Sequence, residues 1–194
     1  MARVKWSRAV HHLTELAESC ARLADSPIHP LRVTGLWVAG EILGPPADLD
    51  TITVALVVDL PSVPWLTTPP GAQHWAAASR LARGPFTAYW RTDPVWNHRI
   101  HRPALVWDGQ TREDVLTALA EGRGEDVRLP APTPGELAAR VAEETAVSLA
   151  ALRDRSAHYA EHRWRPGKIE PRADALWEAG AGYLDLLETA EARK

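Results

Sequence analysis

The chain has 194 residues, of which 45% are hydrophobic and 24% are charged, and its formal net charge is −3. These values predict a globular protein of one large domain or two small ones, and they exclude general nucleic-acid binding, which requires a basic stripe. The single Cys20 excludes an intramolecular disulfide and favours a reducing cytoplasm. The longest apolar run, residues 54–58, is too short to span a bilayer, so no membrane association is expected.

The first half of the chain mixes helical and strand patterns. Apolar residues recur every three or four positions over residues 7–24, which predicts an amphipathic helix. Residues 31–39 and 51–60 are typical of strands, and the second has bulky side chains on one face. A proline-rich loop follows, and residues 72–83 are expected to form a helix that ends at Gly84-Pro85.

The second half predicts two short strands and three helices. The strands are expected at residues 86–90 and 103–107, and Thr111 is expected to cap a helix that runs to Glu121. Residues 122–132 are typical of a linker. Thr133, Pro134 and Glu136 then form a complete helix start for a long helix toward residue 159. A last helix is expected to begin at Pro171.

This order of elements predicts an α+β fold. A small mixed sheet with helices is expected over residues 1–124, followed by a C-terminal helical hairpin over residues 133–194 that packs on it.

Asp48 and Asp50 lie two positions apart, where a polar loop enters the strand predicted at residues 51–60. Successive strand side chains alternate between faces, so both carboxylates are expected to point the same way. Two like charges on neighbouring same-face positions of a strand repel by about 2–3 kcal/mol at an effective dielectric constant near 20. A hard divalent ion such as Mg²⁺ would relieve this repulsion, because it prefers oxygen ligands. A solvated loop would need no ion, and both interpretations stay open.

A helix, a strand that ends in Val38-Ala39-Gly40, and Asp48-Leu49-Asp50 at the start of an apolar strand resemble the nucleotidyltransferase superfamily, the polymerase-β-like group. The resemblance implies a phosphate-binding turn at Gly40 and Glu41. It also implies Mg²⁺ bound by Asp48 and Asp50, with Asp108 as the best candidate for a third carboxylate.

The chain as a whole also resembles an uncharacterised family of actinobacterial proteins. The residues that carry that second resemblance are Trp6, Trp37-Val38, Asp48-Leu49-Asp50, Pro64-Trp65, Trp96-Asn97-His98-Arg99 and Trp164-Arg165-Pro166-Gly167-Lys168.

The sequence departs from the active nucleotidyltransferase pattern around Gly40. Glu41 stands where serine is usual, and a carboxylate there would repel a triphosphate. The loop from Gly40 to Asp48 is short, which leaves little room for a helix whose N-terminus binds phosphate. The chain also has no lysine or arginine between Leu36 and Val63, so phosphate charge would have to be met from elsewhere.

Two further segments are candidates for binding. Residues 96–102 form the densest cationic and aromatic segment, in which Trp96, His98, Arg99 and Arg102 could contact a phosphate, a base or an acidic partner. A surface loop packed through its tryptophan is the alternative. Residues 163–168 could cover a ligand, although a rigid turn with Trp164 plugging the base of the hairpin is favoured.

Two functional hypotheses follow. In the first, the domain is catalytically degenerate and binds a partner protein or a small ligand in the old nucleotide cleft. In the second, it is a Mg²⁺-dependent nucleotidyltransferase that acts on a small molecule or a protein, with Arg99 or Arg102 contacting the phosphates. Glu41, the short loop and the lack of nearby basic residues favour the first hypothesis. The sequence does not indicate an oligomeric state.

Overall fold

The computed structural model describes residues 3–24, 26 and 30–192, and it has an α+β fold. The described residues contain five α-helices and one four-stranded mixed sheet, which confirms the predicted fold class. The elements are α1 (Trp6–Ala24), β1 (Val33–Ala39), β2 (Ile52–Val58), α2 (Ala72–Ala78), β3 (Phe86–Arg91), β4 (Ala104–Trp107), α3 (Glu113–Ala120), α4 (Pro134–His162) and α5 (Glu170–Glu191). Two short 3-10 helices, Gly40–Leu43 and Gly124–Val127, lie in the connections.

The sheet has the strand order β3-β2-β1-β4. β1 is antiparallel to both β2 and β4, whereas β2 and β3 are parallel. Ala39 at the end of β1 pairs with Thr53 near the start of β2, and Leu36 pairs with Trp107 at the end of β4. The start of β2 therefore lies beside the end of β1, whereas the end of β4 lies beside the middle of β1.

The chain forms two compact units. The first contains Met1–Pro61 and Pro69–Ala131, and the second contains Ser62–Thr68 and Pro132–Lys194. The sheet belongs to the first unit, and the α4–α5 hairpin belongs to the second. The short segment Ser62–Thr68 thus joins the helical unit, although it is far from the hairpin in the chain. Every helix in the described part of the chain is too short or too polar to span a lipid bilayer.

The core of the first unit forms because α1 and α3 cover β1 and β4. The apolar stripe predicted for α1 is buried as expected, and its buried residues include Val10, Leu13, Leu16, Cys20 and Leu23. The Trp6 indole N–H donates to the carbonyl of Leu119 in α3 at 3.2 Å. α1 is therefore fixed along the sheet, with its first turn at a defined position.

Cys20 gives a direct reporter of the opening of this core. Burial raises the pKa of the Cys20 thiol from 9.0 to about 12, so the folded protein holds it as an unreactive thiol. At pH 8 we expect thiol reagents to label Cys20 only when the first unit unfolds, and at once in denaturant. Because the unfolded chain ionises this group first, its contribution to stability is complete below pH 9 and disappears as the pH rises toward 12. The release of thionitrobenzoate from its disulfide reagent measures the rate of labelling, at pH 8 and at higher pH. Fast labelling of the native protein at pH 8 would contradict this expectation.

Two predicted helices begin or end elsewhere. α2 stops at Ala78 and not at residue 83, because the Ser79 hydroxyl accepts from the amide of Leu81 and turns the chain. Thr111 does not cap α3. The cap residue is Arg112, which makes no side-chain capping hydrogen bond, and Thr111 instead forms an isolated bridge with Trp107.

The start of α4 is as predicted. The Thr133 hydroxyl accepts from the Glu136 amide, the Glu136 carboxylate accepts from the Thr133 amide, and Pro134 occupies the first turn. These contacts with Thr133 lower the pKa of Glu136. A complete capping box fixes where a helix begins, which is why this boundary could be predicted.

Candidate functional site

Asp48 and Asp50 flank the buried Leu49 at the entrance to β2. Both aspartates are exposed, in agreement with the alternation predicted for this segment. Leu49 forms a two-way backbone pair with Val4, in which the Val4 amide donates to Leu49 at 2.7 Å and the Leu49 amide donates to Val4 at 2.9 Å. The residues just before α1 therefore run beside the two aspartates.

Asp50 has a cationic neighbour from this N-terminal segment. Arg3 Nε lies 3.4 Å from Asp50 Oδ1, and the two side chains are 58% and 78% exposed. An ion pair this exposed contributes at most about 1 kcal/mol to stability. The contact nevertheless shows how the repulsion between Asp48 and Asp50 is reduced in this structure: solvent and a guanidinium group surround the carboxylates.

The structure does not bring Asp108 to the aspartate pair. Leu36 pairs with Trp107 and Ala39 pairs with Thr53, so the two pairs are about 10 Å apart along β1. Asp108 lies beyond the first pair and Asp50 lies beyond the second. One Mg²⁺ ion binds oxygen atoms at about 2.1 Å and cannot join them. Asp108 instead contacts Arg112, and this hydrogen bond raises the pKa of Arg112. Within the described residues, no group of three or more His, Cys, Asp or Glu side chains could hold a metal ion.

The turn at Gly40 and Glu41 is packed against the rest of the unit. Gly40 has a φ of +78°, and the chain closes at once into the 3-10 helix Gly40–Leu43, whose Ile42 and Leu43 are buried. A Cβ atom on Gly124 would lie 2.8 Å from Leu43 Cα, so the second 3-10 helix lies directly on this turn. Glu41 is exposed. The short loop thus forms a 3-10 helix of four residues, which is shorter than a phosphate-binding helix would be.

Residues 96–102 lie in the connection between β3 and β4, which Asn97 holds together by hydrogen bonds. Asn97 is buried, and its Oδ1 accepts from the amides of Arg99 and Ile100, both at 2.9 Å. Trp96 and His98 are half-buried, while Arg99 is exposed. Sequence reasoning missed Asn97, although a side chain that accepts from amides two and three residues later is typical of asparagine in turns.

Arg102 holds the linker between α3 and α4. It has a φ of +46°, its Nε donates to the carbonyl of Leu129 at 3.1 Å, and its guanidinium contacts Glu125. These contacts give Arg102 a structural role within the first unit. The predicted phosphate contact by Arg102 would have to replace them.

Arg3, which contacts Asp50, also lines a cleft with basic side chains from elsewhere in the chain. An open cleft of about 530 Å³ is lined by Arg3, Val4, Lys5, Arg8, His12, Arg83, Gly84 and Pro85. Sequence reasoning missed this cleft because its residues come from segments far apart in the chain. A signal was present: Lys5, Arg8 and His12 have the i, i+3, i+7 spacing that places side chains on one face of a helix.

The helical unit carries two exposed tryptophans. Trp164 is 82% exposed and Trp177 is 73% exposed. The Arg163 guanidinium carbon lies 5.0 Å from the centre of the Trp164 ring. The prediction that Trp164 plugs the base of the hairpin is therefore wrong, because an arginine and solvent surround this ring.

The comparisons with known proteins give a family without an assigned activity. No curated protein and no solved structure shows a significant match to this chain. A family described as a domain of unknown function (DUF7711) matches residues 4–192, which include the whole sheet and both helices of the hairpin. The resemblance to an uncharacterised family is thereby confirmed, and the chain belongs to the DUF7711 family.

Proposed function

We propose that this protein is a nucleotidyltransferase-like domain that has lost transfer chemistry and acts by binding a small ligand or a partner protein. The observation that carries the proposal is the separation of Asp108 from Asp48 and Asp50 across the sheet. A catalytic metal site of this type needs carboxylates that share one ion, and the described residues supply only the exposed pair.

The order of elements supports the ancestry in this proposal. α1, β1, a short turn and β2 follow one another, and Asp48 and Asp50 lie just before β2. These are the features on which the resemblance to nucleotidyltransferases rests. The resemblance concerns the fold, and activity requires a separate argument.

The surroundings of Gly40 and Asp50 support the loss of activity. Glu41 gives the turn a negative charge, where a triphosphate would need donors. Leu43 is held against Gly124, so the turn cannot open toward a ligand without losing buried contacts. Arg3 contacts Asp50, where a metal ion would have to bind. These features occupy the positions at which nucleotidyl transfer would need phosphate donors and a metal ion.

A titration with and without metal tests this proposal. ATP and GTP are titrated calorimetrically into wild type and into Asp48→Asn/Asp50→Asn, once with Mg²⁺ and once with EDTA. We expect Mg²⁺ not to strengthen nucleotide binding and the double variant to bind no more weakly than wild type, since no metal site links the carboxylates to phosphate. Incubation with α-labelled nucleotide is expected to label neither the protein nor a small acceptor.

Asp59→Asn/Asp154→Asn is the matched control, because it removes the same two charges at exposed positions away from the pair. The proposal fails if Mg²⁺ strengthens nucleotide binding at least tenfold and only the Asp48→Asn/Asp50→Asn variant loses that gain. Such a result would favour a Mg²⁺-dependent nucleotidyltransferase, with Asp48 and Asp50 as metal ligands.

A further inference from the structure

The cationic cleft, lined by Arg3, Lys5, Arg8, His12 and Arg83, lies where the segment before α1, the first turns of α1 and the loop before β3 meet in the first unit. The segment before α1 is fixed by the backbone pair between Val4 and Leu49. The loop before β3 is fixed because the carbonyl of Pro85 accepts from the Ile52 amide at 2.7 Å and from the Thr51 hydroxyl at 3.0 Å. The walls of the cleft are therefore held by hydrogen bonds to residues at the entrance to β2.

The positive charge of this cleft is largely uncompensated. Across residues 3–24, 26 and 30–192, no carboxylate forms an ion pair with Lys5, Arg8 or Arg83. Arg3 has only the exposed contact with Asp50, and His12 faces Glu15. Three unpaired cations around one cavity repel one another, and an anionic ligand would relieve that repulsion.

The start of α1 adds to this positive potential. A helix N-terminus carries partial positive charge and normally favours Asp or Glu in its first turn. α1 has no acidic residue there; Lys5 lies directly before the turn, and Arg8 lies within it. The arrangement disfavours the isolated helix start, and it suits a bound anion.

We propose that the cationic cleft is a binding site for a small molecule with two or more linked phosphate groups, bound without a metal ion. Arginine guanidinium groups match phosphate oxygens in geometry, and Arg8, Arg83 and Lys5 can contact successive phosphates. The cavity volume of about 530 Å³ is that of a small-molecule site. The inference deepens the proposed function by naming its ligand class, and it rests on that function only in taking the ligand to be small.

The same chemistry occurs in nucleotides and in inorganic oligophosphates. Inorganic triphosphate, ATP, GTP and adenosine are therefore titrated separately in EDTA by calorimetry. Binding of triphosphate as strong as that of ATP assigns the site to the phosphate chain alone, whereas stronger binding of one nucleotide adds base recognition. Adenosine is expected not to bind, and a single-stranded oligonucleotide without a terminal triphosphate is expected to bind more weakly than triphosphate.

Two variants with opposite expected effects test the geometry. Arg8→Gln/Arg83→Gln is expected to weaken triphosphate binding about tenfold or more, because each charge-assisted hydrogen bond contributes substantially to affinity. Asp50→Asn is expected to strengthen binding several-fold, since it frees Arg3. Arg153→Gln/Arg155→Gln, which removes two exposed charges from α4, is the matched control and is expected to bind like wild type.

The inference is overturned if inorganic triphosphate does not bind wild type at millimolar concentration. It is also overturned if the Arg8→Gln/Arg83→Gln variant and its control lose affinity equally, or if the oligonucleotide binds as tightly as triphosphate. Circular dichroism confirms that each variant is folded before it is titrated. Failure here leaves the proposed function standing through a protein partner, whereas Mg²⁺-dependent transfer would overturn the proposed function and not this site.

Discussion

Gly182→Ala is expected to lower the free energy of unfolding of the helical unit by about 3 kcal/mol or more. Gly182 is buried in α5, and a Cβ atom there would lie 1.9 Å from the carbonyl oxygen of Trp65 and 2.8 Å from its carbonyl carbon. Both atoms belong to the backbone, so no side-chain rotation can remove the overlap. α5 or the segment Ser62–Thr68 must move. Urea unfolding followed by circular dichroism measures the loss.

Such a movement would also disturb the polar contacts of Trp65. The Trp65 indole N–H donates to Asp185 at 2.7 Å, and its amide donates to the buried hydroxyl of Ser148 at 3.2 Å. These hydrogen bonds connect the segment to both helices of the hairpin. We therefore expect Gly182→Ala to change the near-ultraviolet signal of tryptophan as well as the unfolding midpoint.

Gly180→Ala is the matched control, in the same helix two residues earlier. A Cβ atom there would lie 4.0 Å from Leu152 Cδ1, which is ordinary contact. Replacing a helical glycine by alanine stabilises a helix by about 1 kcal/mol, so this variant is expected to be more stable than wild type. Equal effects of the two substitutions would show that backbone propensity, and not the approach of Trp65, decides the outcome.

The sequence predicts those elements of the fold that local patterns determine. The stripe of α1, the apolar run of β2 and the capping box at Thr133 each depend on residues close together in the chain, and all three elements form as expected. The place of Trp65 could not be predicted, because it depends on a glycine in α5 that lies 117 positions later in the sequence. Local periodicity carries no information about such a contact.

The candidate site shows the same division. The shared exposure of Asp48 and Asp50 follows from strand alternation and could be predicted. The position of Asp108 depends on which strands pair and in which register, and neither is encoded by the turn signal Asp108-Gly109. Likewise, Arg3 and Arg83 lie 80 positions apart in the sequence, and only the folded sheet brings them to one cleft.

Helix α4 also carries buried charge. Arg140 and Glu144 lie one turn apart on α4 with side chains only 9% and 7% exposed. Arg140 Nε is 3.0 Å from Glu144 Oε1, and Arg140 Nη1 is 2.9 Å from the exposed Glu143. A buried ion pair gains little net stability over apolar residues, because both charges lose their hydration. Its removal is costly only when one charge stays behind.

Arg140→Met is therefore expected to destabilise the helical unit by about 3 kcal/mol, because Glu144 stays buried and loses the guanidinium beside it. Glu143→Gln, which removes the exposed partner of the same arginine, is expected to change stability by less than about 1 kcal/mol. Arg140→Met/Glu144→Leu replaces both buried charges with apolar side chains and is expected to return to wild-type stability or above it. Urea unfolding of the three variants measures this order. If Arg140→Met and the double variant are equally unstable, the loss comes from packing of the arginine chain and not from the loss of charge pairing with Glu144.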